Sequence, residues 1–481
     1  MKLKDLFEGQ NISVDADVKG LTADSRKVQE GFVFAALKGV ARDGREFIPM
    51  ALEKGAAAIL CDGPAETGDA ALVTAEEPRQ ALAYASAKFY PRQPENIVAV
   101  TGTNGKSSTV DFLRQIWAHA GLKAASMGTL GAVGPNGHID LGHTTPDPVM
   151  IHETLDTLAG EGVTHAAMEA SSHGLVQYRL DGVKLAAVAF TNLTQDHLDY
   201  HADVASYLAA KQRLFGELLA SGGTAVLNAD VPEFEALRAI CRERDQRLLS
   251  YGRRGGELRL VDQRPDGEGQ VLDLEIEGRR QQVRLPLVGG FQADNALCAL
   301  GLVLALGAPA DKALAALEHL QGVPGRLEKV AVHASGAPVY VDYAHTPDAL
   351  AHALTALAPQ AANRLVVVFG CGGDRDRTKR PQMGSIACRL ADRIIVTDDN
   401  PRGEDPGAIR RAVLEGCDRA VEVHDRGVAI RAAVRDLDQG DVLVIAGKGH
   451  ERGQLIGHDM RPFDDAQEAR QAVSACREVL S

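Results

Sequence analysis

Ile97-Val98-Ala99-Val100-Thr101-Gly102-Thr103-Asn104-Gly105-Lys106-Ser107-Ser108 is an apolar run, a glycine-rich turn and the opening of a helical stretch that reaches Ala120. The run reads as a buried strand, and Gly-Lys-Ser at a strand-to-helix junction reads as a phosphate cradle. In such a cradle backbone N–H groups hold the phosphates, Lys106 reaches the β and γ oxygens, and Ser107 can ligate magnesium. Position 100 is Val and the first glycine is Gly102, so the loop is a shortened relative of G-x-x-x-x-G-K-[ST]. The competing account is a tight βα turn with an accidental lysine. Candidate ATP contacts are Gly102, Thr103, Asn104, Gly105, Lys106, Ser107 and Ser108.

Outward from this unit, glycine and proline punctuate further strand-helix alternation, which predicts an α/β fold. At 481 residues the chain exceeds the roughly 250–300 residues at which one core stops growing, so several domains are expected. Tyr90-Pro91-Arg92-Gln93-Pro94 closes a first domain, and Val323-Pro324-Gly325-Arg326 opens a third. The expected domains are therefore 1–93, 94–325 and 326–481. The central one has strands at Val163 to Met168, Leu185 to Phe190 and Thr224 to Leu227, predicting a P-loop-type, mostly parallel sheet. Leu258 to Val261 and Val271 to Ile276 flank Pro265-Asp266-Gly267-Glu268-Gly269, an antiparallel excursion. The third domain repeats the theme at Val339 to Val341, Leu365 to Phe369, Ile394 to Thr397 and Val442 to Ala446, a Rossmann-like α/β pattern whose ligands belong at the carboxyl ends of the strands.

Composition narrows the class. Apolar residues are 45% and charged residues 24%, which supports packed cores and excludes wholesale disorder. A net charge of -13 argues against nonspecific nucleic-acid binding, so anionic ligands must be met by local Arg and Lys clusters. No stretch approaches the ~20 apolar residues of a membrane helix, and Met1 to Glu8 contains no apolar signal core. Seven scattered cysteines without a C-x-x-C pair fit reduced thiols. A cytoplasmic protein without membrane insertion is expected.

Two polar segments follow buried strands. Met168-Glu169-Ala170-Ser171-Ser172-His173-Gly174-Leu175 carries a carboxylate and hydroxyls, although Ser171 reads equally well as a helix cap. Thr191-Asn192-Leu193-Thr194-Gln195-Asp196-His197-Leu198-Asp199-Tyr200-His201 offers His197, which with Glu169 could share a cation or simply be structural. Ser206 to Phe215 reads as an amphipathic helix on which Lys211 would ordinarily be a solvated surface lysine.

Taken in order, the shortened loop, Met-Glu-x-Ser-Ser-His-Gly-Leu, Asp-His-Leu-Asp-x-His and Ala-Ala-Lys-x-x-Leu-Phe resemble the Mur ligases of peptidoglycan synthesis along essentially the whole chain. A monomer is expected, although the sequence does not reveal oligomeric state; the resemblance implies that ATP phosphorylates a substrate carboxylate and an amine attacks the resulting acyl phosphate. It implies that Lys106, Glu169, His197 and Lys211 are catalytic. Ser107, Glu169, His197 and Lys211, the last as a carbamate, would hold magnesium. Asn295, Arg326 and Asp342 would lie on the adenosine side, although Asp342 also reads as a strand-end cap.

Within the family, Asp399-Asn400-Pro401-Arg402 matches the motif of enzymes that add meso-diaminopimelate to UDP-N-acetylmuramoyl-L-alanyl-D-glutamate. Diaminopimelate differs from lysine by a second carboxylate, which a forked guanidinium suits. Arg375, Gly447 and Glu451 match further diaminopimelate contacts, with Glu451 pairing the distal ammonium. The UDP-substrate contacts carry over to Ala23, Ser25, Val40, Ala41, Arg42, Thr144, Thr145, Ser171, Gln177 and Arg179. His143 stands where the family usually has Asn, and Val40-Ala41 where it has His-Gln. Alternatives are a lysine-adding ligase, a folylpolyglutamate synthetase, or a nucleotide switch without ligase chemistry. Arg402 argues against the lysine enzyme.

Overall fold

The computed structural model describes residues 1–39, 42–194, 200–267 and 269–480. The described chain divides into two compact units. One comprises Met1–Val261, Asp273–Gln281 and Asp294–Leu317, and the other Asp262–Leu272, Gln282–Ala293 and Glu318–Ser481.

The first unit begins with a five-stranded sheet of β1 (Asn11–Ile12), β2 (Gly20–Thr22), β3 (Phe32–Ala35), β4 (Ala58–Cys61) and β5 (Ala71–Thr74), in the order β1-β5-β4-β3-β2. Only β1 runs antiparallel to its neighbour. Alternate residues feed two cores, with Val33, Ala58, Leu60 and Val73 on one face and Phe34, Ile59 and Cys61 on the other. That double burial is why these strands read as continuous apolar runs.

Next come β6 (Asn96–Thr101), β7 (Ala124–Gly128), β8 (Gly131–Gly134), β9 (Gly137–Ile139), β10 (His165–Glu169), β11 (Leu185–Phe190), β12 (Thr224–Asn228) and β13 (Arg247–Gly252). They lie in the order β13-β12-β11-β6-β10-β7-β8-β9, and β14 (Leu258–Asp266), β15 (Gly269–Ile276) and β16 (Arg279–Leu285) continue it beyond β13. From β13 to β7 every pairing is parallel, as the sequence pattern predicts. The strand expected at Val163 to Met168 begins two residues later, because Val163 N bonds the Leu158 carbonyl of the preceding helix and Thr164 N the Lys123 carbonyl just ahead of β7. Pro265 and Asp266, expected in a turn, belong to β14, and Gly267 at φ +56° begins the reversal.

Helix Lys106–His119 buries Val110, Phe112, Leu113, Ile116 and Trp117 and thereby anchors the phosphate loop to the core. Asp147 caps Pro148–Gly160 by accepting from the N–H groups of Val149 and Met150. Asp203 and Ser206 form a capping box on Val204–Arg213, which continues as a π-helical turn at Leu214–Leu218.

In the second unit, β17 (Glu328–Val332), β18 (Pro338–Asp342), β19 (Leu365–Phe369), β20 (Arg393–Val396), β21 (Val421–Glu422) and β22 (Val442–Ala446) form a sheet in the order β17-β18-β22-β19-β20-β21. Only β17 is antiparallel. Leu365, Val367 and Phe369 face one helix layer while Val366 and Val368 face the other, the period-two alternation of a doubly covered sheet. A hairpin, β23 (Gly453–Ile456) with β24 (Asp459–Pro462), stands apart from this sheet.

Candidate active site

Glu169 in β10 pairs with Val100 in β6, and Phe190 in β11 pairs with Thr101, so the segments after all three strands leave one edge of the sheet side by side. Gly102 has φ +148° and Gly105 φ +87°, and an added Cβ would run into Thr191 Oγ1 at the first and Asn295 Oδ1 at the second. Only glycine lets the loop pack this closely. Lys106 Nζ donates to the carbonyl oxygens of Gly102 (2.9 Å) and Thr103 (2.8 Å), folding the lysine back over the loop.

Lys211 is not a surface lysine. It is 1% exposed, and its Nζ donates to the Gly102 carbonyl at 2.8 Å while lying 4.2 Å from the Tyr207 ring centroid. Tyr207 Oη in turn shares a 3.2 Å hydrogen bond with Thr103 Oγ1. Helix Val204–Arg213 therefore delivers both residues to the phosphate loop.

Glu169 is 2% exposed. Its Oε1 accepts from Thr129 N at 2.8 Å and its Oε2 from Thr129 Oγ1 at 3.3 Å. The buried carboxylate, the buried Ser107 hydroxyl at the helix start and the loop carbonyls are hard oxygen donors of the kind magnesium prefers. His197, Val40 and Ala41 fall outside the described residues. Among the described residues no three His, Cys, Asp or Glu side chains cluster to hold a metal.

Thr144, Thr145, Ser171, Gln177 and Arg179 form one network. Thr144 Oγ1 meets Thr129 Oγ1 at 2.9 Å, Thr145 Oγ1 donates to Glu169 O (2.9 Å) and accepts from Ser171 N (3.0 Å), and Ser171 Oγ accepts from Gly174 N as a helix cap. Arg179 donates to Thr145 O and to Gln177 Oε1 at 2.8 Å, and Gln177 Nε2 donates to Tyr200 Oη at 3.1 Å. Gln177 and Tyr200, with Lys38, Gly39, Arg79 and Tyr178, line a cavity of about 720 Å³. Arg42 is not part of that lining, although its carbonyl accepts from the N–H of Gly39, which is, at 2.8 Å. Ala23, Ser25 and His143 do not line it. Ser25 is buried, whereas Ala23 and His143 are exposed.

In the second unit Asp342, at the end of β18, accepts from Leu327 N (2.7 Å) and Ala344 N (2.8 Å). Burial pushes its carboxyl above the ordinary value, opposed by Arg326 and these two N–H groups. The Arg326 guanidinium lies 4.6 Å from the Tyr343 ring centroid. His450 packs on the same ring at 5.2 Å, and burial, aided by Arg326, pushes its imidazole down to about 4.

All seven expected diaminopimelate residues sit in this unit, and hydrogen bonds tie Asn400, Arg402 and Glu451 together. Arg402, at φ +50°, donates through Nη1 to Gly373 O at 2.9 Å, while Gly373 N donates to Asn400 O at 2.9 Å. A Cβ at Gly372 would lie 2.7 Å from Arg402 Nη1 and 3.9 Å from Arg375 Cγ, and one at Gly373 would strike Pro401 O. Gly447, at φ +118°, leaves room for Asp399 Oδ2. Asn400 Nδ2 donates to Glu451 Oε2 at 2.9 Å. Sequence reasoning missed Thr129, Tyr207, Lys448, whose Nζ donates to Glu451 Oε2, and Gln454, whose Nε2 donates to Asp399 O at 2.7 Å. Tyr207 and Lys448 each stand within four residues of a recognised position, but neither spacing nor residue type showed which way they point.

The parallel sheet and the phosphate loop with the buried lysine beside it define a nucleotide-binding protein of the α/β class. Residues 17–96 match the Mur ligase family catalytic domain, 100–303 the Mur ligase middle domain, and 325–449 the Mur ligase glutamate ligase domain. The chain belongs to the Mur ligase family. It is 50% identical over 485 residues, 99% of each chain, to a Bradyrhizobium diazoefficiens protein named UDP-N-acetylmuramoyl-L-alanyl-D-glutamate--2,6-diaminopimelate ligase. A Caulobacter vibrioides protein of the same name is 51% identical over 98% of each chain. A solved structure of a ligase of that name superposes with a TM-score of 0.73 at 33% identity, covering 99% of both chains. Among the described residues no helix is long and apolar enough to cross a membrane.

Proposed function

We infer that this protein adds meso-2,6-diaminopimelate to the D-glutamate of UDP-N-acetylmuramoyl-L-alanyl-D-glutamate in cytoplasmic peptidoglycan precursor synthesis, with ATP as co-substrate. The observation that supports the reading is the placement of Asn400 and Glu451, joined by a hydrogen bond, in one unit with Arg402, Arg375, Asp399, Pro401 and Gly447, a set that combines forked cations with carboxylates as a zwitterionic distal centre requires. Domains bounded near residues 93 and 325 divide the work: UDP recognition, ATP chemistry, and acceptor choice.

In the reaction the D-glutamate carboxylate takes the γ-phosphoryl group of ATP, and the diaminopimelate amine displaces phosphate from the acyl phosphate. The loop N–H groups from Gly102 to Ser108 cradle the phosphates, and Lys106 sets its ammonium against the transferred group. Gln177, Arg179, Thr144 and Thr145 hold the peptide end of the nucleotide substrate. Asn295, Arg326 and Asp342 take the adenosine. Ser107, Glu169, His197 and a carbamylated Lys211 would hold magnesium, which supplies charge neutralisation at the phosphates when bound.

Purified protein with ATP, magnesium and the UDP-muramoyl dipeptide is expected to release phosphate on addition of diaminopimelate. Equal or better turnover with L-lysine would overturn the acceptor assignment, and folate-dependent turnover the substrate assignment.

A further inference from the structure

Lys448 is 0% exposed, yet it carries an ammonium group that burial penalises unless it is bonded and compensated. Its Nζ donates to Asn400 Oδ1 at 2.9 Å and to Glu451 Oε2 at 3.0 Å. Asn400 Nδ2 donates to the same Glu451 oxygen at 2.9 Å, and Asn400 Oδ1 also accepts from Leu455 N at 2.9 Å. These bonds fix the amide: its oxygen must face Lys448 and Leu455, and its nitrogen must face Glu451. Both donors fall on Oε2, and neither reaches Oε1 of Glu451.

Arg426 and Asp465 form a buried pair at 2.7 Å in which both side chains are 0% exposed, as a purely structural pair should be. The Lys448 pair is lopsided, for Glu451 retains 33% exposure. A buried cation thus braces a carboxylate that is open on its other side. Leu455 O and Gly457 N also clamp Arg402, through bonds to Arg402 N (3.0 Å) and O (2.7 Å). One hairpin edge and one ammonium therefore set Asn400, Glu451 and Arg402 together.

We propose that Lys448 is a positioning residue that determines acceptor specificity, by bracing Glu451 and offsetting part of its charge. This rests on the diaminopimelate reading above. With Lys448 in place, Glu451 cannot act as a full unopposed anion for a lone ammonium such as the end of lysine. A distal centre that brings its own carboxylate is favoured instead, because it is met at once by Glu451 and by Arg402, which Lys448 and the hairpin edge hold together, whereas a lone ammonium meets only the weakened anion.

The test compares wild type, Lys448→Met and Lys448→Gln, measuring initial rates with diaminopimelate and with L-lysine and the KM of ATP in parallel. Both variants are expected to raise the diaminopimelate KM about tenfold or more with kcat and the ATP KM nearly unchanged, and to lower the diaminopimelate-to-lysine ratio of kcat/KM at least about tenfold. Lys448→Gln keeps a donor for Asn400 without the charge, so it serves if Lys448→Met does not fold. In a Glu451→Gln background the Lys448 substitutions are expected to add little, the non-additivity of two residues acting as one. A wild type that turns over diaminopimelate, with variants whose acceptor ratio is unchanged or whose kcat falls equally for both amines, would overturn the proposal alone. A wild type that does not use diaminopimelate would remove the reading beneath it.

Discussion

Lys106 and Lys211 donate to one acceptor, the carbonyl oxygen of Gly102, at 2.9 and 2.8 Å. Two ammonium groups on one oxygen repel each other, and converting Lys211 to a carbamate would remove one positive charge while leaving an N–H to keep the bond. Lys211→Ala is expected to cut turnover about 10²- to 10³-fold, the usual cost of a preorganised charged group, and short-chain carboxylic acids should partly restore it. Full activity of the unsupplemented variant would exclude the carbamate role.

Gly105→Ala places a methyl group against Asn295 at a backbone angle of +87°, and Gly102→Ala does so against Thr191. Strain of about 1–3 kcal/mol is expected in the loop, with the ATP KM rising about tenfold or more and little change in the KM of diaminopimelate. Steady-state kinetics with each substrate varied in turn will separate the two.

Arg402→Lys keeps the charge and loses the fork. Since a charge-assisted hydrogen bond contributes about 1.5–3 kcal/mol, kcat/KM for diaminopimelate should fall roughly 10- to 100-fold and lysine turnover should change far less. An acceptor panel checks this.

Burial and the neighbouring Asp230 charge, opposed by Arg253, push the Asp294 carboxyl up to about 6, against 3.8 unperturbed. Above about pH 6 its ionised form costs folding free energy, and as the pH falls from 6 toward 3.8 that cost fades because the folded state binds the proton first. Asp294→Asn should raise Tm by a few degrees at pH 8, with the difference closing by pH 4. An unchanged difference across that range would refute the assignment.

Arg426 donates to Asp465 through Nε and Nη2, both at 2.7 Å, and to Ala446 O at 2.9 Å. Arg426→Met strands a buried carboxylate and should cost about 3–5 kcal/mol by denaturant unfolding, whereas Arg426→Met with Asp465→Leu should recover much of it.

The sequence by itself determined the secondary structure around the sites. Ile97 to Val100, Leu365 to Phe369 and Val442 to Ala446 are buried on both faces, so their apolar runs are legible without any partner, and Gly102, Gly105 and Lys106 announce the loop because its chemistry is contiguous. Tertiary structure decided what contiguous sequence cannot encode. Lys211 lies on a helix whose polar pattern suggests a solvated face, and only the packing of Val204–Arg213 against the loop buries it beside Gly102. Lys448 is one lysine in a glycine-rich turn, three residues from Glu451, until the fold brings Asn400 to both of them. The physical reason is the same in both cases: a charge becomes informative through what surrounds it, and part of each surrounding, Gly102 for Lys211 and Asn400 for Lys448, comes from a segment distant in the chain.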